Sequence, residues 1–574
     1  MGHRGRRRAD AVEAQERYGP RHGGGRHVGH GPDRYDRRVL LQRGLLGAAA
    51  VTLGPLALSA CGPSPASMTS AGGRPRPGGS VTVGVNSEID GFLPASSHFD
   101  NSGICYANAV FDTLTKVAAD GTARPYLASA VVPNADMSTW TITVRPGVVF
   151  HDGSPLTADV VVANLEALRQ SPLTGQAVAP VTSVRATGPL TVEVGCDEPL
   201  VAFPYYLSTQ IGYVVALSQL SSPNGSSHPV GTGPFSLVSW VPNDHLSLRR
   251  NPRYWRAGLP YLDSLTYRPI VQDASRLSSL RSGTIDLMVT RDPTAIVQLR
   301  HDSGFTQLRD QRPAGGVNDM DFIILNTAVA PTNDLAVRQA LAHALDSEEI
   351  TRLFGAGIAS PDTSPFPVGS PYRAPDNGYP AYDLAAARRL VAQVAPAHGG
   401  SLRVALGTIT DPRQVEVVQA VQSMWGRAGI EVTISETEQV TYIDNMALGS
   451  FVAYTDEQFS APDPDLNYVW WSSTTAAAPG QIALNFARNR DPELEAALQK
   501  GRTQADHATR AEAYQSVDRR LAADLPYLWL SPATWSFTGR AGLGNLAAPT
   551  LPDGSRALSF TGGSFTPTEI WVQG

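Results

Sequence analysis

Residues 402–434 read LRVALGTITDPRQVEVVQAVQSMWGRAGIEVTI, and the spacing of their apolar side chains changes twice. Residues 402–406 form a short apolar run that is typical of a buried strand. Asp411 and Pro412 then supply an N-cap and a proline at the first helical position. Apolar side chains follow at helical spacing, at Val415, Val418, Val421 and Trp425. A glycine ends the helix before a second strand at 430–434, so the stretch predicts a β-α-β unit and a parallel sheet flanked by helices.

Two more amphipathic helices are predicted upstream of this unit. Asp334 caps the first helix, which ends near Gly355 or Gly357. Its apolar face is formed by Val337, Leu341, Ala344 and Leu345. Asp383 caps the second helix, which continues through Ala392. Both helices are amphipathic and fit the same lobe as the β-α-β unit.

Strand-type alternation marks the beginning of the folded body. Residues 80–85 alternate apolar and polar side chains, and residues 140–145 repeat the signal. The second run turns at Pro146-Gly147 into residues 148–150, which predicts an antiparallel pair.

Size and charge restrict the class of protein. The chain has 574 residues, of which 42% are hydrophobic, enough for two lobes with separate cores. Residues 1–61 hold 11 Arg and 5 acidic residues, which leaves a net charge of about −12 on the rest of the chain. Nucleic acid requires basic surface, so it is not expected as a partner.

The N-terminal region has the order of a secretory signal. An apolar run at 44–60 follows Arg37, Arg38 and Arg43 and ends in small residues, which predicts a signal peptide at 37–60. Its 17 residues are short for a membrane span, which needs about 20 apolar residues, although a permanent transmembrane helix is the alternative. Twin-arginine export and general secretion both stay open.

The end of this run, residues 58–61 (LSAC), resembles a bacterial lipoprotein box. The resemblance implies cleavage before Cys61 and attachment of lipid to its sulfur, and therefore anchoring to the outer face of the cytoplasmic membrane. Residues 1–36 are predicted to be a disordered extension, with an over-extended start site as the alternative. Residues 61–78 are rich in Gly, Pro and Ser and are predicted to be a flexible linker between lipid and folded body.

Cysteines and histidines give no metal or cofactor site. Cys105 and Cys196 either form a disulfide or remain buried thiols. The histidines after Cys61 are scattered without the spacing of metal ligands, so neither a metal nor a cofactor is predicted.

Several stretches resemble the family 5 extracellular solute-binding proteins, the oligopeptide, dipeptide and nickel-binding subunits of ABC importers. The longest is 140–161, WTITVRPGVVFHDGSPLTADVV. The others are PVGTGPF at 229–235 followed by Trp240, NPRYW at 251–255, the helix at 334–350, and DPD at 463–465. The resemblance runs from about residue 79 to the C-terminus and keeps the order of the family.

The resemblance implies an α/β fold of the two-lobed periplasmic-binding-protein type (class II), with mixed sheets flanked by helices and a ligand cleft between the lobes. We place lobe I at 79–270 with 533–574 returning to it, and lobe II at 271–532. Both chain crossings then form the hinge.

The implied function is that of an extracytoplasmic lipoprotein that captures peptides and delivers them to the permease and ATPase subunits of an ABC importer, as a monomer. A metal chelate, haem or sugar is the alternative ligand within the family. An exported hydrolase or transpeptidase is the alternative from another class. The sequence lacks Ser-x-x-Lys, Gly-x-Ser-x-Gly and His-Glu-x-x-His, so no enzyme is predicted.

Two polar stretches inside the matching segments are predicted to be structural. His151 and Asp152 lie in a Gly-Ser-Pro turn after a strand, which favours a turn over a catalytic pair. The loop 231–234 (GTGP) lacks the lysine of phosphate loops, and its proline removes a donor amide.

The family also implies a ligand-binding strand. In its peptide-binding members an extended ligand pairs with strand segments of both lobes, and an aspartate just after the lobe II segment holds the α-amino group. Residues 451–455 alternate like that strand and Asp456 follows them, although the link to Asp463 is longer than usual, so Glu457 or Asp463 could be the anchor instead. The predicted ligand-binding residues are Asp456, Tyr454, Thr455, Trp470 and Trp471, where burial of the two tryptophans in the core is the alternative.

Overall fold

The computed structural model describes residues 74–573 except 173, 310–315, 547–548 and 559. The predicted signal, Cys61 and most of the linker lie outside these residues. No helix within the described ranges is long and apolar enough to span a membrane.

The strands of the described chain are numbered β1 to β22 in sequence order. They are Ser80–Val85, Thr115–Val117, Ala123–Pro125, Ala128–Pro133, Thr139–Val144, Val181–Gly188, Thr191–Cys196, Phe235–Val241, His245–Arg250, Ser264–Pro269, Leu287–Thr290, Phe305–Arg309, Met320–Leu325, Leu402–Ile409, Ile430–Thr437, Ala453–Gln458, Tyr527–Pro532, Ser536–Arg540, Leu543–Gly544, Phe560–Thr561, Ser564–Phe565 and Trp571–Val572.

The α-helices are numbered α1 to α14 in the same way. They are Asn101–Val110, Ala158–Gln170, Phe203–Tyr206, Leu217–Leu220, Asp273–Ser282, Pro293–Arg300, Leu335–His343, Ser347–Phe354, Leu384–Val394, Pro412–Arg427, Gln439–Leu448, Tyr468–Trp471, Pro492–Thr503 and His507–Asp524.

The first large sheet has seven strands in the order β12-β18-β11-β1-β10-β9-β8. Strand β1 is parallel to both β10 and β11, and β18 is antiparallel to both β11 and β12. The predicted start of lobe II at residue 271 would divide this sheet. Strands β11 and β12 come after residue 271 and belong to the first sheet. All four residues of β11 are buried, and a strand with two apolar faces fits the interior of a sheet.

A four-stranded antiparallel sheet, β4-β5-β7-β6, is inserted between β1 and β8 of the first sheet. We call residues 126–216 the small-sheet unit. The predicted pairing of 140–145 with 148–150 is wrong, because β5 pairs with β4 and β7 instead. After the turn at Gly147 (φ +75°), the chain makes only the bridge Val149↔Pro155 and turns again.

The second large sheet has five strands in the order β15-β14-β16-β13-β17. Strands β14 and β15 are parallel over eight residues and are joined by α10, which confirms the predicted β-α-β unit. The side chain of Asp411 accepts a hydrogen bond from the amide of Gln414, so the predicted N-cap is also confirmed.

The helices before this unit differ from prediction at one point. Asp334 and Asp383 cap α7 and α9 as predicted. However, the helix that begins after Asp334 ends at His343 rather than near Gly355. The side chain of Asp346 accepts from the amide of Glu349 and starts a separate helix, α8, because an aspartate favours an N-cap over a helix interior.

The chain passes twice between the two large sheets, once after β12 and once at 533–535 between β17 and β18. Cys105 is buried and Cys196 is half-buried, and both thiols are free, which decides the open question of a disulfide. Burial raises the pKa of each thiol to about 12.

Candidate functional site

Strand β16 carries the predicted ligand-binding residues, but its bounds differ from those expected. It begins at Ala453 and continues to Gln458, so Asp456 lies inside the strand and not after it. The reason is that β16 pairs with β13 along its whole length, from Ala453↔Leu325 to Gln458↔Met320.

The other edge of β16 is paired over only two residues. Strand β14 runs parallel to it at Leu406↔Ala453 and Gly407↔Tyr454 and then diverges. Within the described residues, no strand pairs with this edge beyond Tyr454. A cavity of about 360 Å³ lies beside the paired residues, lined in part by Gly407, Ser435 and Phe451.

Asp456 is the polar side chain beside this edge. Side chains alternate along a strand, so Asp456 shares a face with Tyr454, and its neighbours across the sheet are Phe322 and Trp529. Its half-buried carboxylate makes no hydrogen bond or ion pair within the described part of the chain. Burial, together with the nearby carboxylate of Asp321, raises the pKa of Asp456 to about 8.

Glu457 lies on the opposite face and already has a cationic partner. The guanidinium of Arg291 forms ion pairs with both Glu457 and Asp321 and lies 5.7 Å from the ring centroid of Trp535. Burial alone would lower the pKa of Arg291, but the carboxylates around it, Asp321 foremost, raise it. Arg291 follows β11 and Trp535 lies in a crossing segment, so this group joins the two large sheets.

Asp463, the other alternative anchor, is engaged elsewhere. Its carboxylate is buried and accepts two hydrogen bonds, of 2.6 and 2.7 Å, from the guanidinium of Arg510 on α14. It also accepts from the amide of Asp465. Both oxygens are therefore occupied, and a role in the protein's own packing accounts for the residue.

The remaining predicted residues divide between the core and the site. Tyr454 stacks on Tyr442 with a centroid distance of 4.3 Å and lines the cavity. The hydroxyl of Thr455 is 3.1 Å from that of Thr408. Trp470 is half-buried against Phe486.

Trp471 lies fully in the core, with 1% of its surface exposed. Its indole nitrogen donates to the side chain of Gln458 at 3.1 Å. A ligand between the lobes cannot reach this ring, so the alternative interpretation of burial holds for Trp471.

The two polar turns are structural. Nε2 of His151 is 3.0 Å from the carbonyl oxygen of Gly233, and burial lowers the pKa of His151 to about 4. A Cβ on Gly231 would lie 2.1 Å from the carbonyl oxygen of Val110, so that loop needs glycine for close backbone packing.

Sequence reasoning missed Arg291, Asp321 and Trp535. Each is an ordinary residue at the end or start of a strand, and nothing near it in sequence distinguishes it. Only the strand order, which brings β11 beside the crossing segment, places the three together. Within the described residues, no group of three His, Cys, Asp or Glu side chains could hold a metal ion.

Comparison with known proteins relates these elements to a family. The sequence model of the bacterial extracellular solute-binding proteins, family 5 (middle), matches residues 122–479, more than half of the chain. Glutathione-binding protein GsiB of Pectobacterium atrosepticum is 26% identical over 423 residues, which cover 71% of this chain and 79% of the relative. Protein XP55 of Streptomyces lividans is 29% identical over 511 residues, covering 84% and 90%.

A solved structure gives the fold. The ABC transporter-associated periplasmic binding protein DppA of Helicobacter pylori, in complex with the peptide STSA, superposes with a TM-score of 0.75 at 20% identity, covering 87% of this chain and 99% of that one. This likeness confirms the predicted two-lobed α/β fold of the periplasmic binding proteins. GsiB and DppA are named as binding proteins, not as enzymes.

Proposed function

This chain belongs to the family 5 bacterial extracellular solute-binding proteins, and from that premise we propose that it captures peptides between its two lobes and delivers them to the permease and ATPase of an ABC importer. The observation that carries the proposal is the open edge of β16 from Asp456 to Gln458. An extended peptide can add a strand to such an edge, because its backbone supplies the missing hydrogen-bond partners.

The side chain at the start of this edge suits the end of a peptide. An α-ammonium group placed against Asp456 would give the carboxylate the cationic partner that it lacks within the described residues. An ammonium group beside Asp456 favours the ionised carboxylate, which burial disfavours in the free protein. Tyr454, Thr455 and Trp470 would flank the ligand, whereas Trp471 is not part of this proposed site.

Relatives support the ligand class. GsiB is named for binding glutathione, which is itself a short peptide, and the DppA structure contains a peptide. We further propose that Cys61 carries lipid and anchors a monomeric receptor to the outer face of the cytoplasmic membrane. Cys61→Ser is then expected to abolish incorporation of labelled fatty acid.

The proposal is tested by calorimetry with peptides of two to five residues, each with a free and an acetylated N-terminus. We expect tight binding of free peptides, and at least a hundredfold loss, about 2.7 kcal/mol, on acetylation or in Asp456→Ala.

Asp321→Asn is the matched control, because it removes a neighbouring carboxylate that is already paired with Arg291. It should weaken binding far less than Asp456→Ala. Equal affinity for free and acetylated peptides would remove Asp456 as the anchor. A protein that binds only sugars or metal chelates would contradict peptide capture itself.

A further inference from the structure

The small-sheet unit contacts the lobe that contains the second large sheet. The residues in contact are distant in sequence from both crossings. Tyr206, on α3 of the small-sheet unit, donates its hydroxyl hydrogen to the carbonyl oxygen of Asp465 at 2.8 Å. The same hydroxyl is 3.2 Å from the carboxylate of Asp465 and accepts a hydrogen bond of 3.3 Å from Arg502. All three residues are at most 3% exposed. We call Tyr206, Asp465 and Arg502 the junction.

Further bonds cross at the same place. The amide of Val201 donates to the carbonyl oxygen of Arg502 at 3.3 Å. Glu198 accepts a hydrogen bond from Gln499 and lies 3.9 Å from the guanidinium of Arg502. Leu466 packs against the apolar core of the small-sheet unit. The contact therefore combines side-chain hydrogen bonds, apolar packing and a backbone hydrogen bond.

The charges of the junction are arranged so that it can open. Arg502 and Asp465 form their ion pair, at 2.9 Å, within one lobe. Arg502 also lies 3.5 Å from the ring centroid of Tyr468 in that lobe. When the lobes separate, Arg502 and Asp465 keep each other as partners, and the small-sheet unit loses the hydroxyl contact of Tyr206, the backbone bond of Val201 and the contacts of the half-buried Glu198. No buried charge is left alone, which is the costly outcome in other buried pairs.

We propose that the junction is a closing contact, and that Tyr206 is a positioning residue that stabilises the closed arrangement of the lobes without touching the ligand. Among the residues that the structure describes, the chain connects the lobes through the two crossings near the sheets alone, so rotation about them makes or breaks the junction. A contact that favours the closed state raises the apparent affinity for any ligand bound between the lobes. The inference concerns the lobes and does not depend on the ligand being a peptide.

The test uses the ligand-free full chain and the variant Tyr206→Phe, which keeps the ring and removes the hydroxyl. Hydrogen exchange at the Val201 amide reports the junction directly, and small-angle scattering reports the separation of the lobes. We expect exchange at Val201 to become about tenfold faster, and the radius of gyration to increase.

Tyr213→Phe is the matched control. The hydroxyl of Tyr213 is also buried and donates to Asn108 on α1 at 3.0 Å, but Tyr213 packs in the core beneath the first sheet and not at the junction. This variant should lose similar stability and leave Val201 exchange unchanged. Gln499→Ala, a half-buried position on the opposite lobe, should open the junction in the same direction as Tyr206→Phe. Equal exchange at Val201 in Tyr206→Phe and Tyr213→Phe, or no change in scattering, would overturn the proposal.

Discussion

At the scale of single residues, the carboxylate of Asp456 has the most unusual environment in the proposed site. It faces Phe322 and Trp529 across the sheet and has no cationic partner within the described residues, while its neighbour Glu457 pairs with Arg291. The two adjacent acids therefore have different surroundings, and burial raises the pKa of Asp456 to about 8. Their difference follows from strand alternation, which puts them on opposite faces.

Peptide affinity is expected to depend on pH through this group. An ammonium ligand binds the ionised carboxylate, so binding releases a proton wherever Asp456 is protonated in the free protein. With a pKa of about 8, affinity should rise about tenfold per pH unit between pH 6 and 7.5. It should stop rising near pH 8, where the peptide's own amino group begins to lose its charge.

Calorimetry in two buffers of different ionisation enthalpy measures the released proton. Asp456→Asn should show a flat affinity over the same range of pH. Uptake of a proton on binding by the wild-type protein would contradict this assignment.

The same group should make the free protein less stable as pH rises. The native state holds a proton on Asp456 up to about pH 8, whereas the unfolded chain loses it near pH 4, so the free energy of unfolding decreases between these values. Asp456→Asn removes this loss. We expect the variant to gain about 3 kcal/mol over wild type between pH 5 and 8.5, a value reduced for the partial exposure of the side chain. Urea unfolding at both pH values measures it.

At the scale of elements, the helices and strands that the sequence predicts are predicted for reasons that are local. The caps at Asp334, Asp383 and Asp411 were found because an aspartate before a periodic apolar run satisfies free amides of the helix. The break at Asp346 was missed because it also occurs within such a run. Strand partners were missed where pairing is distant, as for β5, whose neighbour β7 begins almost fifty residues later.

The DPD segment at 463–465 is held to α13 and α14 by buried ion pairs. Asp463 pairs with Arg510 on α14, and both side chains are at most 5% exposed. Asp463→Ala leaves a buried guanidinium without its partner, so we expect a loss of about 3 to 5 kcal/mol in urea unfolding.

Asp506 provides the control for this variant. It is an acid that only caps the start of α14, and Asp506→Ala should cost about 1 kcal/mol. In Asp463→Ala the preference for free over acetylated peptides should persist. Loss of that preference would move the ligand anchor from Asp456 to Asp463.

At the scale of the whole molecule, the fold class was predictable and the lobe boundary was not. Periodicity identified a β-α-β unit, and the matching stretches implied two lobes. The boundary depends on which sheet β11 and β12 join, and their sequences fit either one. The extent of the open edge of β16 could likewise not be predicted from its residues, because it results from the divergence of β14 and not from any residue type.

A second interlobe contact gives a prediction about closure. Gly562, in the turn between β20 and β21, has φ +51°, and a Cβ there would lie 2.5 Å from the hydroxyl of Ser460, which follows β16. A rotation of the Ser460 hydroxyl relieves this approach, so Gly562→Ala should act mainly through the strained turn, and we expect a loss of stability in urea unfolding with an unchanged radius of gyration with ligand present.

The double variant Gly562→Ala with Ser460→Gly keeps the backbone strain and removes the collision. It should remain as unstable as the single variant. If the double variant recovers stability, the contact with Ser460 is the cause and strain within the turn is not.

The position of β18 has a consequence for the order in which the protein folds. This strand lies inside the seven-stranded sheet, between β11 and β12. It is antiparallel to β12, so the first residue of β12, Phe305, pairs with the last residue of β18, Arg540. During synthesis, β11 is complete long before its partner β18 exists. One edge of this apolar strand therefore stays unpaired while the entire second sheet is made. The first lobe is thus the last to be finished. A nascent chain of this kind keeps one edge of β11 unpaired until nearly all of the chain has been made.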